Sequence, residues 1–334
     1  WTECVPRRFS INNSNPIASG WAYVTFISLS YVVCLYVFVN KRTRALERHD
    51  VVQIKARMTA VTATTALLVL LYFPYTFCAT EEEIKGYVDI LEDAKRVSVF
   101  AYMSIRFVPT FPGCLLHVMV LFLGPLTNLY LSASTLLQTS TSTRGWTIRT
   151  ALHHVLVREN GLPDTPNLLT WPADKLRNLF VAPLTEELVY RGLLVPYLLQ
   201  LGVPPSRCVW LAPLFFGFAH VHHGVSTWLS GAAPASRAAA ATVFQFAYTS
   251  LFGAYCTYAL LGTGDVTAIV ACHSFCNFMG LPSFAFMRRG DRVWKRRRVV
   301  LMAYGIGIGG FVAGFWVRGN RDGEETGLLK LLPQ

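Results

Sequence analysis

The chain has 334 residues, of which 53% are hydrophobic and only 15% charged, against roughly 25% charged in soluble domains. With a mean hydropathy of +0.39, this excludes an ordinary soluble domain and points to a polytopic membrane protein. A formal net charge of +11 would suggest nucleic acid in a soluble protein. Here the bases cluster between apolar runs, so membrane topology accounts for them and no nucleic-acid partner is expected.

In chain order, residues 1–16 are polar, and Asn12-Asn13-Ser14 has the form of a glycosylation acceptor. The chain opens without Met and without a cleavable-signal pattern, so its start is expected to be trimmed. Ile17–Val39 is the first predicted span, followed by the basic loop carrying Lys41, Arg42, Arg44, Arg48, Lys55 and Arg57. Met58–Cys78 is the second, with an aromatic end (Tyr72, Phe73, Tyr75, Phe77) suited to an interface. Glu81–Arg96 is a mostly acidic connection, and Val97–Phe111, which holds Arg106, reads as interfacial or partly inserted. Cys114–Ser132 is a clearer span.

A long polar stretch, 133–176, comes next, with a Ser/Thr run at 139–143 and His153-His154 in an amphipathic helix. Further spans are expected at 177–200, 207–222, 238–261, 265–286 and 299–317. Gly310-x-x-x-Gly314 in the last reads as a close-packing face. The eight cysteines (Cys4, Cys34, Cys78, Cys114, Cys208, Cys256, Cys272, Cys276) are scattered without a Cys-x-x-Cys pair, so they predict packing and no disulfide framework.

The fold class is therefore all-α: a single transmembrane domain over 1–334, a bundle of about eight helices enclosing an intramembrane cavity. The basic loop after the first span and the cluster Arg288, Arg289, Arg292, Lys295, Arg296, Arg297 and Arg298 fall on one side of such a bundle. The positive-inside rule puts that side in the cytosol and both termini in the lumen. The connecting segment 133–176 is then cytosolic, and the cavity opens to the cytosolic face.

The chemistry-bearing residues lie in three of the later spans. Glu186 and Glu187 are adjacent carboxylates in the apolar stretch 177–199, where a charge costs about 3 kcal/mol or more, so a functional role is the default. Glu187 and Arg191 are four apart and share a helical face, so they can neutralise each other. Glu186 points about 100° away and has Tyr190 at its own fourth position. Pro183, three residues before Glu186, favours a kink that opens the backbone near it. In the next span His220 follows Phe216 by four residues and can be held by that ring; His223 is near the same face and His222 points elsewhere. Farther on, His273 and Asn277 are four apart and project together.

By depth, all can meet in the cytosolic half of the bilayer, with Glu186 roughly 13 Å from the cytosolic start of its span. Their chemistry assigns roles. Glu186 can take a proton from water, and His220 can hold that water and later protonate a leaving amine. His273 and Asn277 can donate to a developing oxyanion. No Ser or Cys stands in a nucleophile motif, so no acyl-enzyme is expected. Glu186, His220 and His273 also make up an accepted catalytic zinc set, although the usual His-Glu-x-x-His spacing is absent. A proton or ion relay in a transporter or scaffold is a third reading, against which no inverted repeat is visible.

Glu186-Glu-x-x-x-Arg191, Phe216-x-x-x-His220 and His273-x-x-x-Asn277 resemble, in order, the three motifs of the CAAX-protease and bacteriocin-processing family. Phe122-Leu-Gly-Pro-Leu126, the Ala182–Arg191 run, Ala219-His-Val-His-His223, Phe244–Tyr255 and Cys272–Gly280 extend the likeness to its eukaryotic CAAX prenyl endopeptidases. It is strong over 115–286, the expected catalytic core, and weak outside. The resemblance implies a multi-pass endopeptidase of the endoplasmic reticulum that needs no cofactor. Its implied partners are membrane lipid and farnesylated or geranylgeranylated CAAX proteins such as Ras-like small GTPases, cut after the prenyl-cysteine to release a tripeptide. It also implies Glu186, His220, His273 and Asn277 as catalytic residues, with Glu187 and Arg191 matching motif positions as supports.

Overall fold

Apolar runs that do not alternate leave backbone groups no partner but their own helix. Regular structure is accordingly helical, with no strand among the described residues. The structure is a computed structural model describing residues 16–44, 46, 50–76, 111–139, 145–159, 161, 163–165 and 167–321. The Asn12 acceptor, the acidic connection 81–96, the segment around Arg106 and most of the Ser/Thr run lie outside these.

The helices are α1 (Pro16–Val37), α2 (Lys41–Arg44), α3 (Val51–Thr76), α4 (Phe111–Leu121), α5 (Leu123–Thr139) and α6 (Ile148–His154). They continue with α7 (Ala173–Leu176), α8 (Ala182–Glu187), α9 (Val195–Gln200), α10 (Pro205–Leu229), α11 (Ala235–Thr263), α12 (Val266–Met279) and α13 (Arg297–Arg321). Wider π-turns, Arg177–Val181 and Leu188–Leu194, join α7 to α8 and α8 to α9. Among the described residues two helices are long and apolar enough to cross a membrane, or three if one bent pair counts as a single span.

Two predicted spans differ from expectation for local reasons. The run at 114–132 breaks at Phe122 with a bend of 76° between α4 and α5. Pro125 has no N–H to return to the Leu121 carbonyl, so a straight helix loses that bond. The run at 265–286 is helical only to Met279, because Gly280 turns left-handed (φ +65°) and donates back to the Cys276 carbonyl at 2.8 Å. The start of α12 is fixed by Asp265, whose buried carboxylate accepts from the Thr267 and Ala268 N–H groups at 2.9 and 3.2 Å.

The chain forms two compact units. The first draws on the described part of Trp1–Thr110 and on Val181–Val270; the second on Phe111–Phe180 and on Ala271 through the end of α13. In the first, α10 and α11 pack through small residues: Gly217 faces Phe246 and Ser250, and Gly224 faces Thr242. In the second, α13 lies on α4 and α5. Gly307 sits against the Val120 carbonyl, Gly314 against His117, and the Tyr304 ring covers Gly124. Leu131, Phe286, Val293 and Val300 form a buried cluster beside Tyr304 that anchors the basic 288–298 stretch.

The glycines of α13 thus have two faces. A Cβ added at Gly307 would fall 2.6 Å from the Val120 carbonyl oxygen, whereas one at Gly309 would meet nothing within 4 Å. Gly307→Ala is expected to lower the unfolding temperature. Gly309→Ala is expected to hold or raise it, since replacing a helical glycine is worth about 0.5–1 kcal/mol. Equal effects in a thermal-shift assay would contradict this packing.

Candidate active site

The first unit holds four of the six candidate residues. Arg191 Nη1 donates to Glu187 Oε1 at 3.2 Å, and Arg191 Nε lies 3.2 Å from Glu187 Oε2. Neither residue is more than 1% exposed. The guanidinium also lies over the Phe216 ring, 4.5 Å from its centroid. The small residue Gly253 of α11 admits it: a Cβ there would stand 2.9 Å from Arg191 Nη2 and 3.0 Å from Pro213 Cβ. Sequence reasoning did not single out Gly253, and no spacing rule points to it.

Phe216 joins this ion pair to the histidine. Its ring meets the His220 ring edge-on at 4.7 Å and the Tyr190 ring at 5.2 Å. Its carbonyl lies 2.8 Å from His220 Nδ1. A carbonyl only accepts, so Nδ1 carries the proton and donates, which leaves Nε2 as the lone-pair nitrogen of the neutral ring. His220 is therefore held by ring and backbone together. The His223 ring is 6.0 Å away, and His222 turns to Ala219 and Tyr36.

Glu186 is half-buried at the end of α8, close enough to Tyr31 and Tyr190 for its charge to act on both phenols. Tyr31, on α1, shares a 2.9 Å hydrogen bond with Thr185, and Tyr190 donates to the Ser28 carbonyl at 3.2 Å. The two tyrosine rings meet edge-on at 5.8 Å. The first helix thereby fixes the turn that carries Glu186, a role no motif in 16–37 announces.

His273 and Asn277 lie one turn apart on the part of α12 in the second unit, His273 buried and Asn277 exposed. Asn277 Nδ2 donates to the Asn178 carbonyl at 2.9 Å. Between them, Phe275 packs edge-on against Phe122 at 5.4 Å, which fixes the rotation of the helix. The structure thus brings Glu187, Arg191 and His220 together around Phe216, and sets the His/Asn pair on one helix face. Within either unit, no three His, Cys, Asp or Glu side chains among the described residues are grouped as a metal ion requires.

In the first unit, a half-buried carboxylate near two phenols and an imidazole whose Nδ1 donates to a backbone carbonyl are groups of the kind that can activate a water for hydrolysis. Residues 169–279 match the family described as type II CAAX prenyl endopeptidase Rce1-like. The chain is 31% identical over 321 residues to the CAAX prenyl protease 2 of Homo sapiens, covering 93% of this chain and 85% of that protein. It is 28% identical over 308 residues to a probable CAAX prenyl protease 2 of Schizosaccharomyces pombe, covering 92% and 97%. The Saccharomyces cerevisiae CAAX prenyl protease 2 is 26% identical over 287 residues, covering 79% and 80%. No solved structure matches.

Because the ion pair is buried, removing one charge strands the other. Glu187→Gln is expected to cost about 3–5 kcal/mol of stability, visible as a lowered unfolding temperature. Replacing both partners with Met should recover part of the loss. A Glu187→Gln protein as stable as wild type would show that the pair does not hold this helix.

Proposed function

The chain belongs to the CAAX prenyl protease 2 family, and we propose that it is an intramembrane endopeptidase that removes the C-terminal tripeptide from prenylated CAAX proteins. The observation that carries this is coincidence of sequence and site. The matched stretch 169–279 contains Glu186, Glu187, Arg191, His220, His273 and Asn277.

The proposed reaction uses one water and no acyl-enzyme. His220 Nε2 accepts a hydrogen bond from the water while Glu186 takes a proton from it. The oxygen adds to the carbonyl carbon of the prenyl-cysteine. His273 and Asn277 donate to the oxyanion that forms. The intermediate collapses with cleavage of the C–N bond, and the proton taken from water passes through His220 to the leaving amine. The products are a protein ending in prenyl-cysteine carboxylate and a free tripeptide.

Farnesylated and geranylgeranylated CAAX proteins, including Ras-like small GTPases, are the proposed substrates. The proposed setting is the endoplasmic reticulum membrane, with about eight spans and the site open to the cytosol. The expected core 115–286 would carry the chemistry.

Cleavage of a farnesylated CAAX peptide by purified protein tests this. Wild type should release the tripeptide, and Glu186→Ala should lose nearly all turnover. Equal rates would remove Glu186 from the reaction. The zinc reading, with Glu186, His220 and His273 as ligands, makes an opposite prediction. Chelator-washed, zinc-free protein should keep full turnover under the water mechanism; loss restored by stoichiometric zinc would establish the metal.

A further inference from the structure

We infer that Pro183 is a positioning residue for Asn277, acting by withholding a backbone N–H. Arg177–Val181 is a π-turn, where the carbonyl of one residue pairs with the N–H five positions on. For Asn178 that position is Pro183, which has no N–H. The Asn178 carbonyl accepts instead from Asn277 Nδ2 at 2.9 Å. The neighbouring side chain is fixed as well, since Arg177 Nε donates to Asn178 Oδ1 at 2.9 Å.

This bond decides what Asn277 presents. An amide nitrogen carries two N–H groups held in one plane. With one fixed on Asn178, the amide cannot spin about its last torsion, and the second N–H points in a set direction. A preorganised donor stabilises a developing oxyanion far better than one that must first turn. The proline thus acts through chemistry it lacks. An ordinary residue at 183 would offer the Asn178 carbonyl an intrahelical donor and compete with Asn277 for it. The inference rests on the proposed oxyanion role of Asn277.

The test replaces Pro183 in the full-length protein, with the farnesylated peptide as substrate. Pro183→Ala restores the N–H and removes a helix-interior proline, so folding should hold or improve. The expected result is a kcat reduced about tenfold, an unchanged KM and an unfolding temperature no lower than wild type. Lactic acid at 183, introduced by nonsense suppression, has the methyl of alanine but no N–H, and should keep kcat near wild type. On an Asn277→Ala background, Pro183→Ala should cause no further loss.

Wild-type kcat for Pro183→Ala would overturn the inference. So would a lactate variant as slow as the alanine one, which would assign the effect to the shape of the ring. Losses that multiply on the Asn277→Ala background would overturn it too. These outcomes leave the proposed reaction standing if Glu186→Ala is inactive. An active Glu186→Ala removes the reaction itself.

Discussion

The contact on which the first unit depends is a carboxylate and a guanidinium buried together, Glu187 with Arg191. Away from water each charge is tolerable only because the other is there. The pair therefore fixes more than itself. Arg191 is pressed on the Phe216 ring, Phe216 holds His220 by ring and carbonyl, and Gly253 must stay small for the guanidinium to fit. One buried charge pair thereby ties α8, α10 and α11 to a common geometry and sets the tautomer of a histidine.

The helical stretch that carries the acids is built unlike its neighbours. Two π-turns flank the short segment Ala182–Glu187. Such turns recur at functional sites because each displaces the following face and leaves backbone groups with unusual partners. Here the first puts the Asn178 carbonyl in reach of a side chain from α12. The second begins directly after Glu187, yet Arg191 still reaches it. The acids thus sit on a short helical segment bounded by two π-turns.

Much of this was legible from spacing alone. The pair Glu187 and Arg191 follows from two residues four apart in an apolar stretch, and its contact is as expected. Phe216 and His220 were paired by the same rule, though the carbonyl as well as the ring makes the contact. Pro183 was expected to kink the backbone near Glu186; that it follows a π-turn in which the Asn178 carbonyl accepts from Asn277 was not readable. Tyr31 and Ser28 left no signal, because contacts between remote helices have no periodicity, and Gly253 lay within the Phe244–Tyr255 likeness with nothing to mark its contact. Span lengths erred at Phe122 and Gly280, where one bend and one left-handed residue outweigh hydropathy.

The geometry puts a proton on His220 Nδ1, and the proposed water activation needs a bare Nε2 beside it. The 15N chemical shifts of His220, assigned by difference against His220→Gln in lipid at neutral pH, read that pattern directly. A protonated, pyrrole-type Nδ1 and a bare, pyridine-type Nε2 are predicted. A proton on Nε2, in the neutral or the charged ring, would leave no lone pair to receive the water and would contradict the arrangement described.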